Sequence, residues 1–233
     1  MHHVVLERWS RGSSPLHRRD ARAKVLALLV FLIAVATTPP GAWWRYAAYA
    51  AAVLGAVLLS GLPVMQILRR AALVLPFSAT FGLFLWIAGS RGVAIAVVAK
   101  SLLSAVGVIL AVGVTPMPAF LRAVEWLRVP GLIVLIAQFV YRYLFVISEE
   151  AQHMRAAMQA RGGGHWRGSS SPASAVSVLF AKSYARAEGV HRAMIARGFT
   201  GSFPALAPEH WHSADWAFLA LASLMMAAIR VAG

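Results

Sequence analysis

The sequence predicts an all-α integral membrane protein, and three observations carry that expectation. Of the 233 residues, 60% are hydrophobic and only 13% are charged. Apolar runs at 25–38, 46–62, 71–89, 93–115, 131–147 and 216–231 approach or exceed the roughly 20 residues that cross a bilayer as a helix. The basic residues fall almost entirely between these runs, where they set topology rather than line a path.

The chain opens with Met1-His2-His3, followed by Glu7, Arg8 and Arg11, and lacks the pattern of a cleavable signal peptide. The first apolar run ends at Pro39-Pro40; Trp43, Trp44 and Tyr46 follow as an interfacial aromatic belt. Six runs suggest six spans, but the charges suggest five. With the N-terminus in the cytoplasm, Arg69 and Arg70 also lie inside. A crossing at 131–147 would expose seven basic residues between 149 and 212. Keeping 116–212 wholly cytoplasmic places 18 of the 22 Lys and Arg residues inside. Only Arg45, Arg91 and Arg230 then lie outside, and Lys100 falls within a span.

The run 131–147 also contains Gln138 and Arg142 and continues without a breaker to Arg161. It reads as the apolar half of one long helix on the membrane face. The expected organisation is therefore a cytoplasmic N-terminal segment (1–24), transmembrane helices 1–4 (25–115), a cytoplasmic region (116–212) and a last transmembrane helix (213–233). Within 116–212 a short helix spans about 117–127, and two long helices follow. Ser171-Pro172 supplies a cap and first turn for the second long helix. Val176, Phe180, Tyr184, Ala187, Val190 and Met194 give it an apolar face. Glu188 and Arg192 are placed for an i,i+4 pair.

The two long helices end alike. Ala157-Met158-Gln159-Ala160-Arg161-Gly162 recurs 36 residues later as Ala193-Met194-Ile195-Ala196-Arg197-Gly198. In each, a helix-favouring run ends in a lone Arg and is stopped by Gly. Two such tips suggest a membrane protein that grips two equivalent partners.

Three stretches together resemble the transmembrane T component of energy-coupling factor transporters, a group of ABC-type importers. Ser14-Pro15-Leu16-His17-Arg18-Arg19-Asp20-Ala21-Arg22-Ala23-Lys24 is similar to the family's N-terminal signature, with Arg19 and Ala21 in place of the usual Leu and Pro. Thr115-Pro116 and Leu127-Arg128-Val129-Pro130 resemble the lead into its coupling helices. The twin Ala-Arg-Gly tips are the most specific element. The N-terminal His-His and the Glu7-to-Gly12 lead look most like the cobalt and nickel (CbiQ) branch; vitamin-transporting relatives share the tips.

The resemblance implies a non-catalytic coupling subunit in the bacterial cytoplasmic (inner) membrane. Its implied partners are two ATP-binding cassette ATPases and a substrate-binding membrane S component of the CbiM type, with lipid around them. Ala160, Arg161, Gly162, Ala196, Arg197 and Gly198 would be the ATPase contacts. The residue types suit that role, because Arg offers a rigid fork of donors to a carboxylate. Small neighbours keep the tip slim. No cofactor is implied, and ATP would be bound and hydrolysed by the partners, since the chain has no Gly-x-x-x-x-Gly-Lys-Ser/Thr loop.

Other chemistry is poorly supported. The +14 charge is dispersed between helices rather than interleaved with stacking aromatics, so no nucleic-acid partner is expected. With no cysteine and no His-Glu-x-x-His, no thiolate or zincin site is available. Glu209, His210, His212 and Asp215 could group as metal ligands; a wet, polar lead into the last helix is the simpler use, and no metal site is assigned. Lys100 is expected to snorkel or pair locally, and Arg142 to pair with Glu149 or Glu150. A conventional ABC permease and an integral membrane enzyme stay open as alternatives.

Overall fold

The structure is a computed structural model that describes residues 9, 10, 12, 14–160, 172–201 and 211–231. The described residues are helical, with no strand among them. They form two compact units: Met1–Leu127 with Pro208–Gly233, and Arg128–Ala207.

The first unit is a bundle of five helical passes. Helix α1 (Ala21–Ala36) is capped by Asp20, whose side chain accepts from the Arg22 N–H at 2.7 Å. It ends where Thr37 and Thr38 turn their hydroxyls back onto the Ile33 and Ala34 carbonyls, ahead of Pro39 and Pro40. Helix α2 (Trp43–Ser60) starts in the aromatic belt. Helix α3 (Val64–Ala71) runs through the 3₁₀ turn Ala72–Val74 into α4 (Leu75–Ile87), and α5 (Arg91–Gly113) brings the chain back. Helix α6 (Met117–Trp126) is short, and α9 (Ser213–Val231) completes the bundle.

The interior of this unit mixes Ala and Val with larger side chains. Val35, Tyr49, Val57, Ile67, Ala71 and Val114 are buried together, while Phe77, Phe81 and Phe84 stand 56–73% exposed on the outside of α4. Large apolar groups turned outward are the pattern expected when lipid is the solvent. Gly107 shows how tight the fit is: a Cβ there would come within 2.7 Å of the Phe31 ring.

By length and composition four helical stretches are able to cross a membrane: Val64–Ile87, Arg91–Gly113, Gly131–Ala160 and Ser213–Val231. The set differs from the five spans expected from the charges. Helix α1 has only 16 residues, about 24 Å at 1.5 Å per residue, and α2 begins Trp43-Trp44-Arg45-Tyr46, which lowers its hydropathy. Gly131–Ala160 qualifies on length and apolar content, whereas charge counting keeps it inside.

The short α6, expected over about 117–127, spans Met117–Trp126 and belongs to the first unit. Ala119, Phe120 and Ala123 pack on Ala21 and Val25 at the start of α1. The second unit consists of α7 (Gly131–Ala160) and α8 (Pro172–Ala196) with the turn beyond it.

Candidate partner-docking site

The second unit is held by a row of side chains on each long helix. On α7, Phe139, Tyr143, Val146 and Glu150 face α8; on α8, Leu179, Ser183, Arg186, Val190 and Met194 face α7. Glu150 is bonded to Lys182, and Phe139 and Tyr143 lie beside Met194 and Arg197. Residues therefore match in opposite order, and the helices are antiparallel. Their C-terminal ends, one after Ala160 and one at Arg197, point to opposite ends of the unit.

The facing row of α8 is offset from the one expected. Val176, Phe180 and Tyr184 are 65–71% exposed, and only Val190 and Met194 of the expected face meet α7. Toward the start of α8 the packed row lies one residue earlier, at Leu179, Ser183 and Arg186, about 100° around the helix, and the two rows merge at Val190 and Met194. The Glu188–Arg192 pair forms as its spacing predicts. Arg142 does not take up Glu150; Lys182 holds that carboxyl below its usual range through a hydrogen bond and its charge.

The Arg197 tip is built by its backbone. Gly198 sits at φ 77°, in the left-handed region. Its N–H donates to the Ile195 carbonyl at 2.9 Å, and the Phe199 N–H donates to the Met194 carbonyl at 3.0 Å. This is the Schellman pattern, which closes the helix and leaves Arg197 projecting at its last turn. Ala196, Arg197 and Gly198 are all exposed. Of the twin tip, Ala160 is the exposed last residue of α7, while Arg161 and Gly162 lie outside the described residues.

The N-terminal signature has a structural task that its sequence did not disclose. His17 accepts from the Ser14 hydroxyl at its Nδ1 (2.6 Å) and donates from Nε2 to the Trp9 carbonyl (2.9 Å), the one tautomer that satisfies both. The buried Lys24 ammonium donates to the carbonyls of His17 (3.1 Å) and Val114 (3.0 Å). Asp215, 3% exposed, accepts the Asp20 N–H on one oxygen (3.1 Å) and the His212 N–H on the other (3.2 Å). The starts of α1 and α9 and the end of α5 thus share one polar knot. Arg22 lies over the ring of Trp126 (5.9 Å), and Trp126, Trp211 and Trp216 stack in sequence beside it.

Two further expectations meet the geometry here. Asp215 is buried rather than part of a wet helix lead, because both of its oxygens serve backbone donors. Glu209 and His210 lie outside the described residues. Lys100 pairs locally: its ammonium donates to the Ala36 carbonyl at 2.8 Å. Because α1 is short, its C-terminus comes level with the middle of α5. Arg230 joins it by donating to Thr37, so two cations meet the carbonyl end of α1.

These features define a multi-pass α-helical membrane protein whose chain carries, in addition to the bundle, an antiparallel helix pair with an Arg-Gly helix end. The family model of the cobalt transport protein CbiQ matches residues 12–206, and the chain belongs to that family. It is a transport protein by that membership. No curated protein matches the chain.

Proposed function

We propose that this chain is the transmembrane scaffold and coupling subunit of an energy-coupling factor importer for cobalt or nickel. It carries the closure of two ATPase subunits to a substrate-binding membrane subunit. Residues 116–212 face the cytoplasm of the bacterial inner membrane, and ATP is bound and hydrolysed by the partners. The observation that carries this reading is the antiparallel pairing of α7 and α8, whose C-terminal ends face opposite ways. Helix ends so placed suit two separate subunits. Grips at both ends of one rigid pair turn the approach of those subunits into a movement of the pair. The cobalt family favours the metal over the vitamin branch.

The bundle supports a scaffold better than a permease with its own cation site. Its hollow, about 160 Å³, is lined by hydrocarbon, the thioethers of Met225 and Met226 and the ammonium of Lys24. A divalent cation entering it would meet a like charge and few of the hard donors it prefers.

The test is a pull-down of the assembled complex. Removing one partner of a charge-assisted contact costs on the order of 2–5 kcal/mol. Arg161→Ala or Arg197→Ala should each weaken ATPase recovery and sharply reduce cobalt uptake. The double variant should lose the ATPases and keep the substrate-binding subunit. Arg→Lys should rescue only in part, since a point charge does not reproduce the fork. Normal ATPase recovery with the double Ala variant would refute the coupling role.

A further inference from the structure

The Arg197 tip does not stand alone. Beside it the second unit holds an open groove of about 630 Å³. Phe139, Arg142 and Tyr143 of α7 form one wall; Met194, Arg197 and Phe199 at the end of α8 form the other. Both arginines are exposed. The Arg142 guanidinium lies 5.9 Å from the centre of the Tyr143 ring, and among the described residues no Asp or Glu lines the groove. The acidic residue nearest along the facing row of α7, Glu150, is already bonded to Lys182.

Two guanidinium groups sharing one groove, with no carboxylate among its described lining residues, repel each other. The arrangement is favourable once an anion sits between them. A groove of this volume accommodates several side chains, far more than one headgroup phosphate fills. Its walls are apolar between the two cations, so the matching occupant carries acidic groups on an apolar body. That is the surface of an acidic protein segment.

We infer that Arg142 and Arg197 together form a two-cation docking groove for an acidic helix or turn of a partner ATPase. Arg197 and Arg142 each take a carboxylate, and Phe139, Tyr143 and Phe199 pack on the apolar side of the same segment. This rests on the coupling role proposed above and adds Arg142, a residue in the middle of the other helix, to the grip. The tip is thereby read together with the helix it crosses.

The experiment measures ATPase binding to the purified chain with its substrate-binding subunit in nanodiscs of phosphatidylcholine. Arg142→Ala should weaken binding about tenfold, the equivalent of one charge-assisted contact. Arg142→Glu should weaken it further, and Arg142→Lys should recover part of the loss. The salt dependence of binding should be shallower for Arg142→Ala than for the parent. The melting temperature of each variant should match the parent, because Arg142 is exposed and its described contact is one ring face. If Arg197→Ala releases the ATPase and Arg142→Ala does not, the groove is refuted while the coupling role stands. If neither variant weakens binding and the double Arg161→Ala, Arg197→Ala variant also retains the ATPase, the coupling role itself fails. If the Arg142→Ala defect arises only in discs containing anionic lipid, the groove holds a lipid headgroup, and the acidic-segment assignment is overturned.

Discussion

The carboxylate of Asp215 accepts the backbone N–H of Asp20 at 3.1 Å, across 195 positions of the chain. Its second oxygen takes the His212 N–H at the start of the same helix. One side chain therefore caps its own helix and anchors the start of α1.

This arrangement makes Asp215 a stability determinant of the bundle. Asp215→Ala leaves two backbone donors without an acceptor, at about 1–3 kcal/mol each when buried. Asp215→Asn keeps one acceptor and should lose roughly half as much. Lys24→Ala should be destabilising too, since the His17 and Val114 carbonyls lose their donor. The double variant should fall short of the summed losses, because both residues belong to one network. Thermal unfolding of the purified chain in detergent checks this. Unchanged melting of Asp215→Ala would show that the knot contributes nothing.

The turn after α8 supports a second expectation. Gly198→Ala places a Cβ at φ 77°, where an L side chain costs roughly 1–2 kcal/mol. The last turn should fray and Arg197 lose its fixed direction. ATPase recovery should drop by about tenfold, with Gly198→Asn milder because Asn tolerates the left-handed region. Melting of the bundle should not change. Full ATPase recovery by Gly198→Ala would mean that the direction of Arg197 is immaterial.

Topology gives the third. The chain has no cysteine, so single cysteines introduced at the exposed Arg18, at Gly164 and at Gly233 report without background. In intact cells, a membrane-impermeant maleimide should react at 233 and be excluded from 18 and 164. Reaction at 164 would place α7 across the membrane, as its length and composition allow, and remove the cytoplasmic location on which the coupling role depends.

The passes of the bundle were legible because each is a long apolar run between charged or aromatic ends. The Arg197 tip was legible because a Gly after a helix is a strong stop. What the sequence left hidden depends on distant pairing. Helix α8 carries apolar residues on more than one side, so periodicity alone pointed to Val176, Phe180 and Tyr184 where the row that packs is Leu179, Ser183 and Arg186. That Arg142 lines one groove with Met194 and Arg197 follows from the antiparallel register of α7 and α8, which no local pattern encodes. Asp215 looked like a solvated helix lead because its neighbours are polar; its burial comes from a donor at the other end of the chain. Lys100 was expected to find a partner near at hand, and it does, but that partner is the Ala36 carbonyl 64 positions away, at a helix end that the shortness of α1 brings level with it.

The knot at Asp20, Lys24 and Asp215 also has a consequence in time. Ribosomes deliver residues 20–24 long before residue 215 exists. Until then the Asp20 N–H lacks its acceptor, and the starts of α1 and α9 cannot be joined. The last helix to be made therefore closes the first, and the bundle matures only after synthesis has passed residues 213–231. A nascent chain halted before that point would hold its early helices in the membrane with their shared end unfastened, a state that quality-control proteases are suited to recognise.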